Sequence, residues 1–399
     1  MTDKKRILIS GASIAGPTLA YWLNDFGFEV TVVERAPSLR MGGQNIDIKG
    51  SAQRIAAIMG IEDAILAANT GEIGLRFVNE KNQVKAELPK EAGFTAELEI
   101  LRGDISKILY KLTRKDVHYI FGDFIIGLEQ DNEKVNVMFD SGKTEVFDLV
   151  IAADGIRSRT RSLMFGDEPN IEFIGLYTAY LTISKSDTDD KWARWCNGIN
   201  SKAILIRPDN VGTTRVSLTF LSPDLGYEKL SVKEQKELLK SKFSNMGWEA
   251  PRILKELDQV DELYFDGVGQ IKAPRWTNGR FAMVGDAAYC PTLVTGMGTG
   301  LAMIGAYVLA GELARHADHE KAFKAYEQLL RPIVKKILDL PPGVPWMAHP
   351  KTRTGIALLN FALSIYGSKP VNALKKLFSG KPKDKYDDGI VLPDYQALL

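Results

Sequence analysis

The sequence predicts an α/β protein in which a parallel-sheet, nucleotide-binding domain is interleaved with an antiparallel-sheet substrate domain and followed by C-terminal helices. Three observations carry this. A strand–glycine loop–helix–strand unit occupies residues 6–34, and two further strand-like runs lie far downstream, at 148–153 and 280–284. Between those two runs, residues 171–270 are β-rich and do not alternate strands with helices.

The elements follow in order. Arg6 to Ser10 reads as a buried strand, Gly11 to Gly16 as a turn, Pro17 to Phe26 as a helix ended by Gly27, and Glu29 to Glu34 as a second strand. A crossover of this kind starts a parallel sheet. Because its later strands, Asp148 to Ala153 and Arg280 to Val284, are so distant, the chain must leave the sheet and return. The first domain is therefore expected to be discontinuous, over 1–170 and 271–340, with part of 40–105 on the substrate side. In the second domain, 171–270, the runs Leu176 to Ser184, Ala203 to Arg207 and Thr214 to Phe220 read as strands, and Ser231 to Met246 as a charged amphipathic helix. Leu301 to His316, His319 to Ile337 and, beyond a Pro-rich break, Arg353 to Tyr366 read as helices, the last within a helical segment over 341–399.

Composition narrows the function. The 399 residues suffice for two or three domains, and 51 Lys and Arg against 50 Asp and Glu leave +1, with no global basic face for nucleic acid. Two cysteines, Cys196 and Cys290, cannot build a disulfide framework and fit a reducing compartment, so a cytoplasmic location is expected. The run Ile7 to Ser10 after Arg6 is too short for a signal peptide, and Gly355 to Tyr366 is too short to span a bilayer. His118, His316, His319 and His349 do not form a metal set and are expected at the solvated surface; no metal and no integral membrane role are expected, and the chain is expected to be a monomer or weak dimer.

Chemistry first appears in Gly11-Ala12-Ser13-Ile14-Ala15-Gly16, a G-x-G-x-x-G loop with Ser13 in place of its second glycine. Such a loop turns tightly at its first glycine, packs helix on strand at its last, and aims helix N–H groups at a pyrophosphate. Glu34 closes the second strand about 20 residues on, where an acid accepts ribose hydroxyls and repels a 2′-phosphate. FAD and NAD both remain open on this loop alone. Two later elements bear on the choice: Asp154-Gly155-Ile156-Arg157-Ser158-Arg159-Thr160-Arg161 after one strand, and Gly285-Asp286-Ala287-Ala288 after another, running through Pro291 to Gly296-Met297-Gly298 before a long helix. An acid at a strand's end can accept a ribityl hydroxyl, and glycines let backbone approach a flavin edge.

In their order and spacing these three elements resemble those of the group A flavoprotein aromatic hydroxylases, the para-hydroxybenzoate hydroxylase family. Gly42-Gly43-Gln44, Ile46-Asp47-Ile48, Glu99 to Asp104 and Gly247-Trp248-Glu249 are similar to stretches of the tetracycline-inactivating monooxygenases within it. The resemblance implies FAD, with Gly11, Ser13, Ile14, Ala15, Gly16, Glu34 and Arg35 at its ADP half and Arg102 near the ribityl or pyrophosphate. It places Asp154, Gly285 and Asp286 on the ribityl and pyrophosphate portion, and Pro291, Gly296, Met297 and Gly298 against the ring, with Gln44 and Asp47 in an adjoining loop. It ties Asp154 and Arg161 to NADPH or NADH, a transient electron donor for which a second glycine loop is missing. It also implies that reduced flavin and O2 deliver one electrophilic oxygen, through a C4a-hydroperoxide, to an aromatic small molecule.

Because the cofactor supplies this chemistry, no catalytic side chain stands out. Among the aromatic residues of the inserted sheet, Tyr180, Trp195 and Phe220 are candidate substrate contacts, with Gln44 as a polar one. A polycyclic, phenol- or enol-bearing substrate of polyketide or tetracycline type is expected. Hydroxylation, epoxidation and Baeyer–Villiger insertion stay open. The alternatives are an epoxidase or reductase acting on an isoprenoid or indole, and a non-enzymatic flavin-binding redox protein. A halogenase signature W-x-W-x-x-P is not matched by Trp192-Ala193-Arg194-Trp195.

Overall fold

A computed structural model describes residues 4–90, 96–260, 263–292, 295–339, 343–368 and 386–398. Its first sheet has six strands in the order Thr277–Asn278, Phe281–Met283, Leu149–Ala152, Arg6–Ser10, Glu29–Glu34 and His118–Phe121. All pairs are parallel except the short first one. Both distant strands are in this sheet, Leu149–Ala152 beside Arg6–Ser10 with Ile7 level with Leu149, and Phe281–Met283 beside Leu149–Ala152 with Val150 level with Phe281. The near-continuous apolar runs RILIS and LVIA are what a strand covered on both faces requires. Helices Ala15–Asp25 and Gly298–Arg315 pack on this sheet as part of one large core. A three-stranded antiparallel meander, Ile125–Gln130, Val135–Phe139 and Thr144–Phe147, fills the excursion before Leu149. It had no counterpart in the sequence reading.

The second sheet has seven strands: Tyr264–Lys272, Asn170–Ser184, Thr213–Leu221, Lys202–Pro208, Ala193–Gly198, Gly74–Val78 and Val84–Pro89. It draws its last two strands from ahead of the insertion, and the contact of Gly74–Val78 with Ala193–Gly198 is parallel. Strict alternation decides its two faces. Tyr177, Ala179, Leu181, Ile204, Ile206, Val216, Leu218, Phe220 and Phe265 form one buried cluster with Leu239, Phe243, Ile253 and Leu257 of the two helices, Val232–Phe243 and Ala250–Leu257, that cover it. The first of these helices is the expected amphipathic one; Ser231 caps it and Glu234 reaches back to complete a capping box. The opposite face carries Thr178, Tyr180, Trp195, Asn197, Leu205, Arg207, Ser217 and Thr219.

Helices His319–Leu338, Val344–Ala348 and Arg353–Tyr366 follow the long one. The last described stretch, 386–398, is not helical apart from one turn, Gln396–Leu398, and departs from the expected helical end. It returns to the first domain instead. Asp388 accepts from the backbone N–H and hydroxyl of Ser51, capping the helix Gly50–Ile58, and Tyr395 is fully buried against Tyr307 and Gly311.

Candidate active site

The glycine loop is as tight as its spacing implies. Gly11 has φ +112°, and a Cβ there would lie 2.5 Å from the Ala153 carbonyl oxygen; one on Gly16 would lie 1.9 Å from that of Gly11. Only glycine lets the loop, the first helix and the Asp154 turn converge in this way. Ser13 at the loop's crest is partly open, whereas Ile14 and Ala15 are buried beneath it. Glu34 receives N–H bonds from Ala12 (3.0 Å) and Ala36 (2.9 Å), which holds its carboxylate against the loop, and Arg35 beside it is exposed.

Arg102 opens the helix Arg102–Thr113, its stem lying beside Gly43, where a Cβ would come within 2.9 Å of it. Burial and the neighbouring Arg40 lower the guanidinium's pKa, while Asp286, Tyr264 and Glu34 oppose the shift. Its Nε is buried and has no hydrogen-bond partner among the described residues. A buried cationic donor with an unmet N–H, set between two acids, fits a phosphate-bearing group. Asp286 follows Gly285, at which a Cβ would approach that of Ala15 to 2.9 Å, so the two turns touch. Burial raises the Asp286 carboxyl's pKa, against the Cys290 thiol and Arg102, which lower it. Pro291 and the start of the helix Gly298–Arg315 close the same corner, Gly298 facing Asp286, with Met297 at the N-cap and Gly296 in open space at φ +63°. Glu34 and Asp286 thus both act electrostatically on Arg102, and the two acids and the base form one cradle of charged groups.

Asp154 and Arg161 sit differently. Both carboxylate oxygens of Asp154 are taken by Ser158 and Thr160, inside its own turn. Arg161 is buried and donates to the carbonyls of Ile156 (2.7 Å) and Ala287 (3.1 Å), so it bolts this turn to the Asp286 turn.

Across from the cradle lies the open face of the second sheet. Gln44 donates to the Val216 carbonyl at 3.5 Å and joins its loop to that sheet. Asp47, expected in the loop, lies instead in the strand Asn45–Ile48, which pairs antiparallel with Leu98–Leu101; it accepts from the Ala96 N–H and pairs with Lys49. A buried polar cluster anchors the strand Asn45–Ile48: Asn45 bonds Glu99 and the Pro208 carbonyl, while Arg207 forks onto Glu72 at 2.7 and 2.9 Å. Burial pushes the Glu99 carboxyl up, and Arg207 opposes the shift. Tyr180 stacks on Tyr264 with centroids 5.5 Å apart, and Tyr264 stays half exposed. Trp195 donates to Asn197 and meets His349 edge-on at 5.6 Å.

Two expectations are corrected. Phe220 lies on the sheet's other face, packed with Tyr177, Phe243 and Phe265, because an odd step along a strand reverses the face. Its neighbour Thr219 is on the opposite face, buried under His349. His349 is buried, not solvated: its Nδ1–H donates to the Pro345 carbonyl at 2.9 Å, so its Nε2 accepts from the Thr219 hydroxyl at 2.8 Å. Sequence reading missed Thr219 and His349, although the alternation of Thr213–Leu221 carried the parity that identifies Thr219.

Comparison with known proteins then decides the family. The family described as "FAD binding domain" matches residues 4–340. The chain is a member of this family of flavin-dependent monooxygenases. It is 40% identical to a flavin-dependent monooxygenase from Legionella longbeachae over 84% of this chain and 87% of that one. It is 34% identical to another from Phoma sp over 100% and 99%. Among solved structures, the tetracycline destructase Tet(55) superposes with a TM-score of 0.81 at 34% identity, covering 99% of this chain and 100% of that one. Tet(51) superposes with 0.82 at 30%, covering 98% and 100%. The monooxygenase binds FAD as its family does, and no helix among its described residues is long and apolar enough to cross a membrane.

Proposed function

We propose that this monooxygenase uses NADPH or NADH and O2 to hydroxylate a polycyclic compound bearing phenol or enol groups. The observation that carries the reading is the face opposite the FAD cradle. It combines the Tyr180–Tyr264 ring stack, half exposed at Tyr264, with the partly exposed ring of Trp195, a surface suited to a flat ring system. Full-length similarity to tetracycline destructases supports the same class.

Bound FAD, once reduced, supplies the activation of O2. The chain's own residues do the rest. Arg102 would neutralise a phosphate, Asp286 would accept a ribityl hydroxyl, and Glu34 would accept the ribose, an anion there disfavouring a 2′-phosphate. Gln44 and Trp195 would orient the substrate, while the sheet and the inward side of the helix Arg353–Tyr366, where Leu363 packs by Trp195, exclude water. A nicotinamide donor would bind weakly and reduce the flavin slowly until substrate arrives, since the glycine loop serves FAD. Equal reduction rates in stopped flow with and without an oxidised substrate would rule out that gating.

The test incubates enzyme, NADPH or NADH and O2 with tetracyclines, anthraquinones, simple phenols and indoles. Mass spectrometry with labelled O2 should find one added oxygen on a polycyclic member. Oxidation confined to monocyclic acids or isoprenoids would overturn the substrate class.

A further inference from the structure

The C-terminal helices leave an apolar surface that neither domain covers. Helix Arg353–Tyr366 turns Ile356, Leu359 and Leu363 inward, and Leu363 packs by Phe77 and Trp195. On its outer face Leu358 and Phe361 are 68% and 63% exposed, with Ile365 one turn further. Trp346 (69%) and Met347 (60%), on the short helix just before it, extend the patch. Large apolar residues clustered this way mark an interaction surface.

Charge says what kind. From Trp346 to Lys385 the sequence holds eight Lys and Arg and a single acid, Asp384, while the whole chain carries 51 bases against 50 acids. The rest of the chain is therefore net acidic, and in the sequence its basic excess falls on and after this apolar helix. Lys351 and Arg353, both exposed, flank the patch directly. A helix with bulky apolar residues and a Trp on one side, edged by cations, has the make-up of one lying in the plane of an anionic lipid interface. An acidic protein or nucleic acid would be matched by the charge but not by Leu358, Phe361 and Trp346; a second copy would be matched by the apolar patch but would bring two basic segments together.

We propose that the face formed by Trp346, Met347, Leu358, Phe361 and Ile365 docks reversibly on an anionic membrane surface. The enzyme would lie on the bilayer without spanning it.

The FAD-loaded, full-length protein is mixed with vesicles of phosphatidylglycerol and phosphatidylcholine, or of phosphatidylcholine alone, and sedimented. Binding is expected to the anionic vesicles, weakened by salt and falling by roughly ten-fold in the variant Leu358→Ser/Phe361→Ser. Flavin content, thermal midpoint and turnover of a soluble substrate should be unchanged, because these side chains face outward. Trp346→Phe gives a second reading: the fluorescence blue shift seen with anionic vesicles should be lost while binding is retained. No sedimentation with anionic vesicles overturns the proposal. So does unchanged binding in the double Ser variant, or a wild-type dimer in lipid-free buffer that the same variant makes monomeric.

Discussion

A methyl group on Gly16 would sit 1.9 Å from the Gly11 carbonyl oxygen, and nothing in a packed strand–loop–helix corner can yield that far. Gly16→Ala should therefore lose FAD and fold with a lowered thermal midpoint, measured by flavin content and calorimetry. Arg102 gives a gentler probe. Its unmet Nε and buried position mean that Arg102→Met removes a charge-assisted donor without opening a hole. At ~1.5–3 kcal/mol for such a bond, the FAD Kd should rise by roughly ten- to a hundred-fold. An unchanged Kd in fluorescence titration would remove Arg102 from the cofactor site. His349 adds a pH signature. Burial holds its pKa below the ordinary value of 6.5, with the Pro345 carbonyl opposing. As pH falls through that ordinary range, the unfolded chain takes up a proton that the folded one refuses, so stability is lost on the acid side. The drop in midpoint between about pH 8 and about pH 5.5 should be smaller in His349→Gln.

At the scale of the element, the second sheet separates two jobs by parity alone. Phe220 and Thr219 are adjacent in Thr213–Leu221, yet one packs under the covering helices and the other is buried on the opposite face, bonded to His349. Phe220→Ala should cost about 3–5 kcal/mol of stability while leaving KM for the substrate nearly unchanged. Tyr180→Ala, on the open face, should raise KM severalfold with a smaller effect on stability. Paired denaturation and steady-state measurements on both variants check this, and reversed outcomes would mean the cleft lies on the other face. Here the sequence was legible in part. Strands Leu176 to Ser184 and Thr214 to Phe220 showed their period, but which phase of it faces the cleft depends on where two helices land. Ala193–Gly198, Gly74–Val78 and Val84–Pro89 were not read as strands; the parallel pairing that brings Gly74–Val78 into the sheet joins residues over a hundred apart and leaves little local trace.

At the scale of the whole molecule, the chain's last described residues lock the first domain. Tyr395 is fully buried against Gly311, its hydroxyl bonded to Glu312, and Asp388 caps the helix that starts at Gly50. Tyr395→Ala should cost about 3–5 kcal/mol, seen as a lowered midpoint with FAD bound. An unchanged midpoint would show that the tail contributes no stability.

What the sequence determined by itself was the nucleotide-binding unit and the order of its returns. Gly11, Gly16, Glu34, Gly285 and Asp286 act through backbone geometry and short-range spacing, and those are written locally. What only the tertiary structure decided was which side chains meet across domains. Arg161 spans two turns 126 residues apart, Gln44 reaches a strand 172 residues on, and His349 meets Thr219 over 130. Such contacts arise from burial, where an unmet polar group takes whichever partner the packing brings near. Period and propensity hold no record of that choice.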